Sequence, residues 1–217
     1  MPLFVKTAES KNANTILIPF GKNSQDNELL KKYSGLSYSP ELLLGPKDIS
    51  SFFHPEKNLR VFTLGLGEEK DLPKTYIFFR SFVYQQRTKN DLKLNVICDH
   101  LSDTQLINAV IGLRKGLHNN GTFKTNGNKY IEPEITIVLS KKRHGLAENA
   151  LNVVEAQLGA MFLVDHPSNI KTPEFIGKHA QDSGKRNGFD VKVYDVKELK
   201  KMGMDALLAV GQGSVHT

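Results

Sequence analysis

Between Asn58 and Leu139 the chain switches repeatedly between two hydrophobic periods, and that alternation narrows the fold more than any other feature. NLRVFTLGLG, residues 58–67, reads as a strand closed by a Gly-x-Gly loop. Residues Thr75 to Arg87 carry helical spacing, Leu92 to Cys98 reads as a strand, Asp103 to Leu117 as a helix and Glu134 to Leu139 as a further strand. Two β-type segments, Leu3 to Lys6 and Thr15 to Phe20, come first, followed by a short helix over Asp26 to Tyr33. The stretch SGLSYSPELLLGPKD reads as irregular, because Pro40 and Pro46 restrict the residues before them. Strands alternating with helices predict an α/β sheet with helices packed on both faces.

From Gly145 the pattern lengthens. Ala147, Leu151, Val154, Leu158 and Met161 recur at helical spacing, so HGLAENALNVVEAQLGAMFLVD predicts one long amphipathic helix. Thr172, Pro173 and Glu174 then form a helix start: a hydroxyl cap, a proline at the first helical position and an acid at the positive end of the dipole. That helix is expected to reach about Asp182, with a turn over Gly184 to Gly188 and a strand over Phe189 to Tyr194. Asp195 with Glu198 has the spacing of a capping box for a helix containing Leu199 and Met202. Ala206 to Val210 reads as a buried parallel strand that delivers the loop Gly211 to Ser214. The polar KKRHG near Ser140 to Gly145 marks the boundary between a first and a second α/β unit.

Composition excludes several classes. With 217 residues, 39% hydrophobic and 24% charged, the chain fits an ordinary globular protein. No apolar stretch approaches the roughly 18 residues of a membrane span, and MPLFVKTAESK lacks the pattern of a secretory signal. A single cysteine, Cys98, leaves no internal disulfide. These features predict a cytoplasmic location. The net charge of +6 is compatible with DNA or another anion, but the basic groups KK, KKR and KELKK are short and mixed with acids, as on a solvated face.

No catalytic constellation emerges. The sequence GQGSV at Gly211 to Val215 carries its serine one place too late for a G-x-S-x-G elbow. Cys98, Asp99 and His100 adjoin a strand end, yet neighbouring strand residues diverge, so Cys98 reads as a buried, inert thiol. The histidines His54, His100, His118, His144, His166, His179 and His216 show neither H-x-x-x-H nor H-E-x-x-H spacing. His166 beside Asp165 reads as a turn residue with a local hydrogen bond. The glycines Gly65 and Gly67 could approach a phosphate, although G-x-G-x-x-G spacing fails.

The carboxyl-terminal third resembles the leucyl aminopeptidases, peptidase family M17. Pro167, Ser168, Asn169, Thr172, Pro173, Gly203, Met204, Ala206, Val210, Gly213 and Ser214 match that family's motifs in order and spacing. VFTLGLGEEKDL at 61–72 resembles the family's amino-terminal strand and G-L-G loop. GLRKGLHNNGTFKTN occupies the place of a helix leading to a Tyr-x-Phe-x-x-Tyr stretch, of which Gly121, Thr122, Phe123, Lys124 and Thr125 keep only the phenylalanine. The resemblance implies a macro-domain-like amino-terminal domain with a mixed sheet and flanking helices over 1–143. A linker helix over 144–166 and the first α/β elements of an aminopeptidase catalytic domain over 167–217 would follow. It implies an amino-terminal fragment of an enzyme that releases amino-terminal residues from peptides with two divalent metals, zinc or manganese, as a homo-hexamer. The family's metal-binding motifs, of the types G-K-G-x-x-F-D-x-G-G and N-T-D-A-E-G-R, do not occur here. Catalytic, cofactor-binding and metal-binding residues are therefore expected to number none in this chain, which would serve positioning and oligomerisation. The other reading is a basic macro-like module that binds DNA or a nucleotide.

Overall fold

The computed structural model describes residues 3–22, 25–36, 42–88, 91–119, 121, 123 and 133–214. They fall into two compact units, 1–158 and 159–217.

The first unit is built on six strands: β1 (Leu3–Lys6), β2 (Thr15–Phe20), β3 (Ile49–His54), β4 (Leu59–Gly65), β5 (Lys93–Ile97) and β6 (Glu134–Val138). Their order is β1-β6-β5-β2-β4-β3, parallel throughout except for the antiparallel β3–β4 pair. β2 is buried along its whole length because it pairs with β4 on one side and β5 on the other. Its alternate residues feed two cores, as a pleat of period two requires. Leu17 joins Leu64, Leu94 and Ile137 on one face under α2 (Thr75–Gln86) and α3 (Asp103–Gly116), while Ile16, Ile18 and Phe20 join Leu30 and Tyr33 of α1 (Asn27–Ser34) on the other. Helices on both faces are thus observed.

Helices α1 and α3 start where a side chain satisfies their free amides. Asp26 caps α1 through the Leu29 amide at 2.9 Å. Ser102 and Gln105 form a reciprocal box at the start of α3. α2 and α3 approach closely because Gly112 and Gly116 present no side chain to Tyr76, Phe79 and Val83.

The strand β3 was not anticipated. ISSFFH follows an irregular stretch and has half its length polar, so its strand character depends on pairing with β4 through the turn around Pro55–Asn58.

The helix α4 (His144–Asp165) has the predicted extent and buries Ala147, Ala150, Val154 and Leu158 along one stripe. The second unit continues with α5 (Pro173–Asn187), α6 (Val196–Lys201) and α7 (Asp205–Gly211). Thr172 Oγ1 accepts from the Phe175 amide at 3.3 Å, and Asp195 with Glu198 completes the capping box at 2.8 and 3.0 Å.

Three expectations fail in this unit. The turn over Gly184 to Gly188 shrinks to Gly188, which ends α5 in the left-handed region at φ 74°; Gly184 stays helical. A Cβ at Gly184 would lie 2.6 Å from the Phe189 carbonyl oxygen, so this glycine serves close packing of the returning chain. Phe189 to Tyr194 forms no strand, because no neighbouring strand is present among the described residues of this unit to take its backbone groups. Ala206 to Val210 is helical within α7. Without a ladder partner, a run of Ala and Leu satisfies its amides locally, and both residues favour helix.

Candidate functional site

In open α/β sheets, ligand-binding groups gather at the carboxyl ends of the strands where successive connections diverge. β2 connects towards β4 and β5 towards β6, which places this point above Phe20, Gly65 and Cys98.

The Gly-x-Gly loop beyond β4 is closed upon itself. The Gly65 amide donates to Asp48 O at 2.8 Å, the Leu66 amide to Phe20 O at 2.8 Å and the Gly67 amide to Leu44 O at 3.2 Å. No amide of the three is left to cradle a phosphate. The space a side chain at Gly65 would need is filled by the backbone of Leu44 and Gly45, and Gly67 adopts φ 73° against Asp71 and Pro46. These glycines therefore serve the folding of the 42–48 loop onto β4, and the nucleotide reading finds no support in them.

The Cys98–Asp99–His100 triplet also has structural partners. Cys98 is fully buried and burial pushes its thiol far up, away from a nucleophilic thiolate. Asp99 turns the other way and accepts from the Ser140 amide at 3.0 Å and Ser140 Oγ at 2.7 Å, which hold its carboxyl below the usual range. His100 donates from Nε2 to the Pro19 carbonyl at 2.6 Å, and burial lowers its basicity. That bond occupies a β2 carbonyl beyond the last β2–β5 pair, Leu17 with Val96.

The residues that the sequence left unassigned are those that fix α4. Arg143 donates to the Asp99 carbonyl at 2.9 Å and to Asp103 Oδ1 at 2.8 Å. Arg114 makes a two-pronged ion pair with Glu155 at 2.6 and 3.2 Å, joining α3 to α4. The only sequence signal was a basic residue and an acid on two amphipathic helices, with no indication that they face each other. Several surface lysines are likewise matched by acids, Lys22 and Lys70 by Glu68, Lys31 by Glu28 and Lys93 by Asp91.

In the second unit His166 donates from Nδ1 to the Phe162 carbonyl at 2.6 Å, closing the end of α4, and its ring packs on Phe162 and Phe175. His166 thus has the local hydrogen bond expected of it. A groove of about 730 Å³ runs between Pro173, Val193, Tyr194, Leu199, Leu207 and Leu208. Its lining suits apolar side chains, and Asp195 at its rim is committed to the cap of α6. Among the described residues no three His, Cys, Asp or Glu side chains converge as metal ligands. His216 and Val215 lie outside the described residues, as do Thr122, Lys124 and Thr125.

Fold defines a protein class first: an α/β domain with a six-stranded mixed sheet, a long helix, and a smaller helical unit. Residues 159–217 match the profile of the cytosol aminopeptidase family, catalytic domain. The chain is 33% identical over half its length to a probable cytosol aminopeptidase of Persephonella marina and 26% identical over 96% of its length to one of Chloroherpeton thalassium, spanning 22% and 48% of those proteins. In structure it is similar to the bottromycin maturation enzyme BotP in complex with Mn, with a TM-score of 0.70 at 16% identity over 94% of this chain and 43% of the other. A tomato leucine aminopeptidase mutant gives 0.66 at 16% identity over 93% and 46%. The chain spans less than half the length of each of these proteins. Together these matches make residues 159–217 similar to the cytosol aminopeptidase catalytic domain, and the chain as a whole similar to an amino-terminal part of such proteins, peptidase family M17.

Proposed function

We propose that this chain is the amino-terminal portion of a leucyl aminopeptidase that releases amino-terminal residues from peptides. On this reading residues 1–143 form an accessory domain, 144–166 a linker helix and 167–217 the first part of the catalytic domain. The match of residues 159–217 to the family's catalytic-domain profile carries the reading, together with relatives at least twice as long. Two divalent metals, zinc or manganese, would supply the Lewis acid and the activated water in the whole protein. The described side chains of this chain offer no fitting donor set, so no catalytic, cofactor-binding or metal-binding role is given to them. Their contribution is to position the catalytic polypeptide through α4, held by Arg114–Glu155 and Arg143–Asp103, and to contribute to a hexamer. The relatives' name supports a cytoplasmic location, and no helix among the described residues is long and apolar enough to cross a membrane.

The test is hydrolysis of leucine p-nitroanilide with added manganese or zinc. The chain alone is expected to be inactive, whereas a longer chain continuing through the catalytic domain is expected to turn the substrate over and to stop when EDTA is added. Metal-dependent hydrolysis by residues 1–217 alone would overturn the assignment of no site residues.

A further inference from the structure

The sheet ends in two edge strands, β1 and β3, and β3 is the one paired antiparallel to its neighbour. β3 pairs only with β4, so its other side carries unpaired backbone groups among the described residues. The Gly65 amide donates to Asp48 O, which places Asp48 in the bonded set facing β4. By antiparallel alternation Ser50, Phe52 and His54 share that set, and Ile49, Ser51 and Phe53 turn their N–H and C=O groups outwards. These outward residues also share one face, on which Ile49 is 41% and Phe53 57% exposed. Natural edges are usually blunted by a lysine, a proline or an inward charge. ISSFFH has none of these within the strand.

We infer that two copies of this chain pair antiparallel through β3, about a dyad at Ser51, to form one continuous sheet across a dimer. Around that centre every outward group meets an outward group. Ile49 falls opposite the partner's Phe53, an aliphatic–aromatic pair of the kind that stabilises cross-strand contact. Ser51 meets the partner's Ser51, and Ser50 meets the partner's Phe52. The flanks are complementary as well, since the Asp48 position falls opposite the partner's His54 and Lys47 lies next to the position facing the partner's Glu56. His54 is buried with its Nδ1 lacking a hydrogen-bond partner within the chain, so the dyad brings a carboxylate to the end of the strand that holds an unsatisfied nitrogen. A register shifted by one residue would set outward groups against inward ones and lose this matching.

The test uses the 217-residue chain in sedimentation equilibrium from about 1 to 200 μM, with Phe53→Lys and Ile49→Lys beside the wild type. Both side chains are exposed, so circular dichroism, and melting at concentrations too low for dimer formation, are expected to be unchanged. The wild type is expected to show a concentration-dependent dimer, and each lysine variant to raise its dissociation constant at least tenfold. Ser51→Cys is then treated with a short bis-maleimide and compared with Glu56→Cys. The two copies of position 51 meet at the dyad, while those of position 56 lie on the order of 30 Å apart along the strands. Cross-linking at 51 but not at 56 supports the pairing. A wild type that stays monomeric throughout, a dimer unaffected by both lysine variants, or equal cross-linking at 51 and 56 would each overturn it.

Discussion

Two glycine-to-alanine substitutions in helix interiors should change stability in opposite directions. At Gly112 of α3 an added Cβ would lie 2.7 Å from Phe79 Cβ and even closer to the Tyr76 carbonyl oxygen, where ordinary contact begins at 3.4 Å. The obstacle on α2 includes backbone, so the helices would have to part by an amount on the order of 1 Å, an overpacking that costs about 1–3 kcal/mol. The entropic advantage of alanine over glycine returns about 0.5–1 kcal/mol. Net destabilisation of about 1–2 kcal/mol is expected, lowering the melting temperature by about 2–8 °C for a chain of this size. At Gly159 of α4 nothing lies within 4 Å of the added carbon, so only the helix term remains. Gly159→Ala should raise the melting temperature by about 1–4 °C. Differential scanning calorimetry measures both and resolves separate transitions if the two units unfold independently. A Gly112→Ala protein melting at or above the wild type would refute the close α2–α3 approach as the reason for glycine there.

Other outcomes follow from the same contacts. A double-mutant cycle on Arg114→Ala and Glu155→Ala should return a coupling of about 1–2 kcal/mol, because the pair is two-pronged and half-buried, where exposed pairs give less than about 1 kcal/mol. Asp99 has its carboxyl held below the unfolded value by Ser140, so its contribution is present above about pH 4 and is lost as pH falls through the lower folded value. Asp99→Asn should therefore lower stability at neutral pH and flatten the acid limb of a urea-denaturation series below pH 4. Cys98 should not react with iodoacetamide in the native protein and should alkylate once the chain is unfolded, as mass spectrometry would show. Gly35 ends α1 at φ 69° over the His54 ring, and an added Cβ would meet Nε2 at 2.6 Å. Gly35→Ala should cost about 1–3 kcal/mol by chemical denaturation.

The amino-acid sequence alone determined whatever rests on near neighbours. β1 and β2 are read at their observed limits because a continuous apolar run bounded by turn residues has few alternatives, and β2 turns out to be buried at every position. Caps at Thr172 and Asp195 were legible because a cap is completed within three or four residues. The family motifs were legible for a similar reason, since they lie close together and in order between Pro167 and Ser214. Tertiary structure decided everything that needed a distant partner. It made a strand of ISSFFH by pairing it with β4, and left Phe189 to Tyr194 and Ala206 to Val210 out of any sheet. It gave the loop of Gly65 and Gly67 to the Leu44–Pro46 backbone, where sequence spacing had left a phosphate site open. It also brought Arg114 to Glu155 across 41 residues. A helix closes its hydrogen bonds within itself, whereas strands, glycine contacts and ion pairs between elements are completed only by residues remote in the chain.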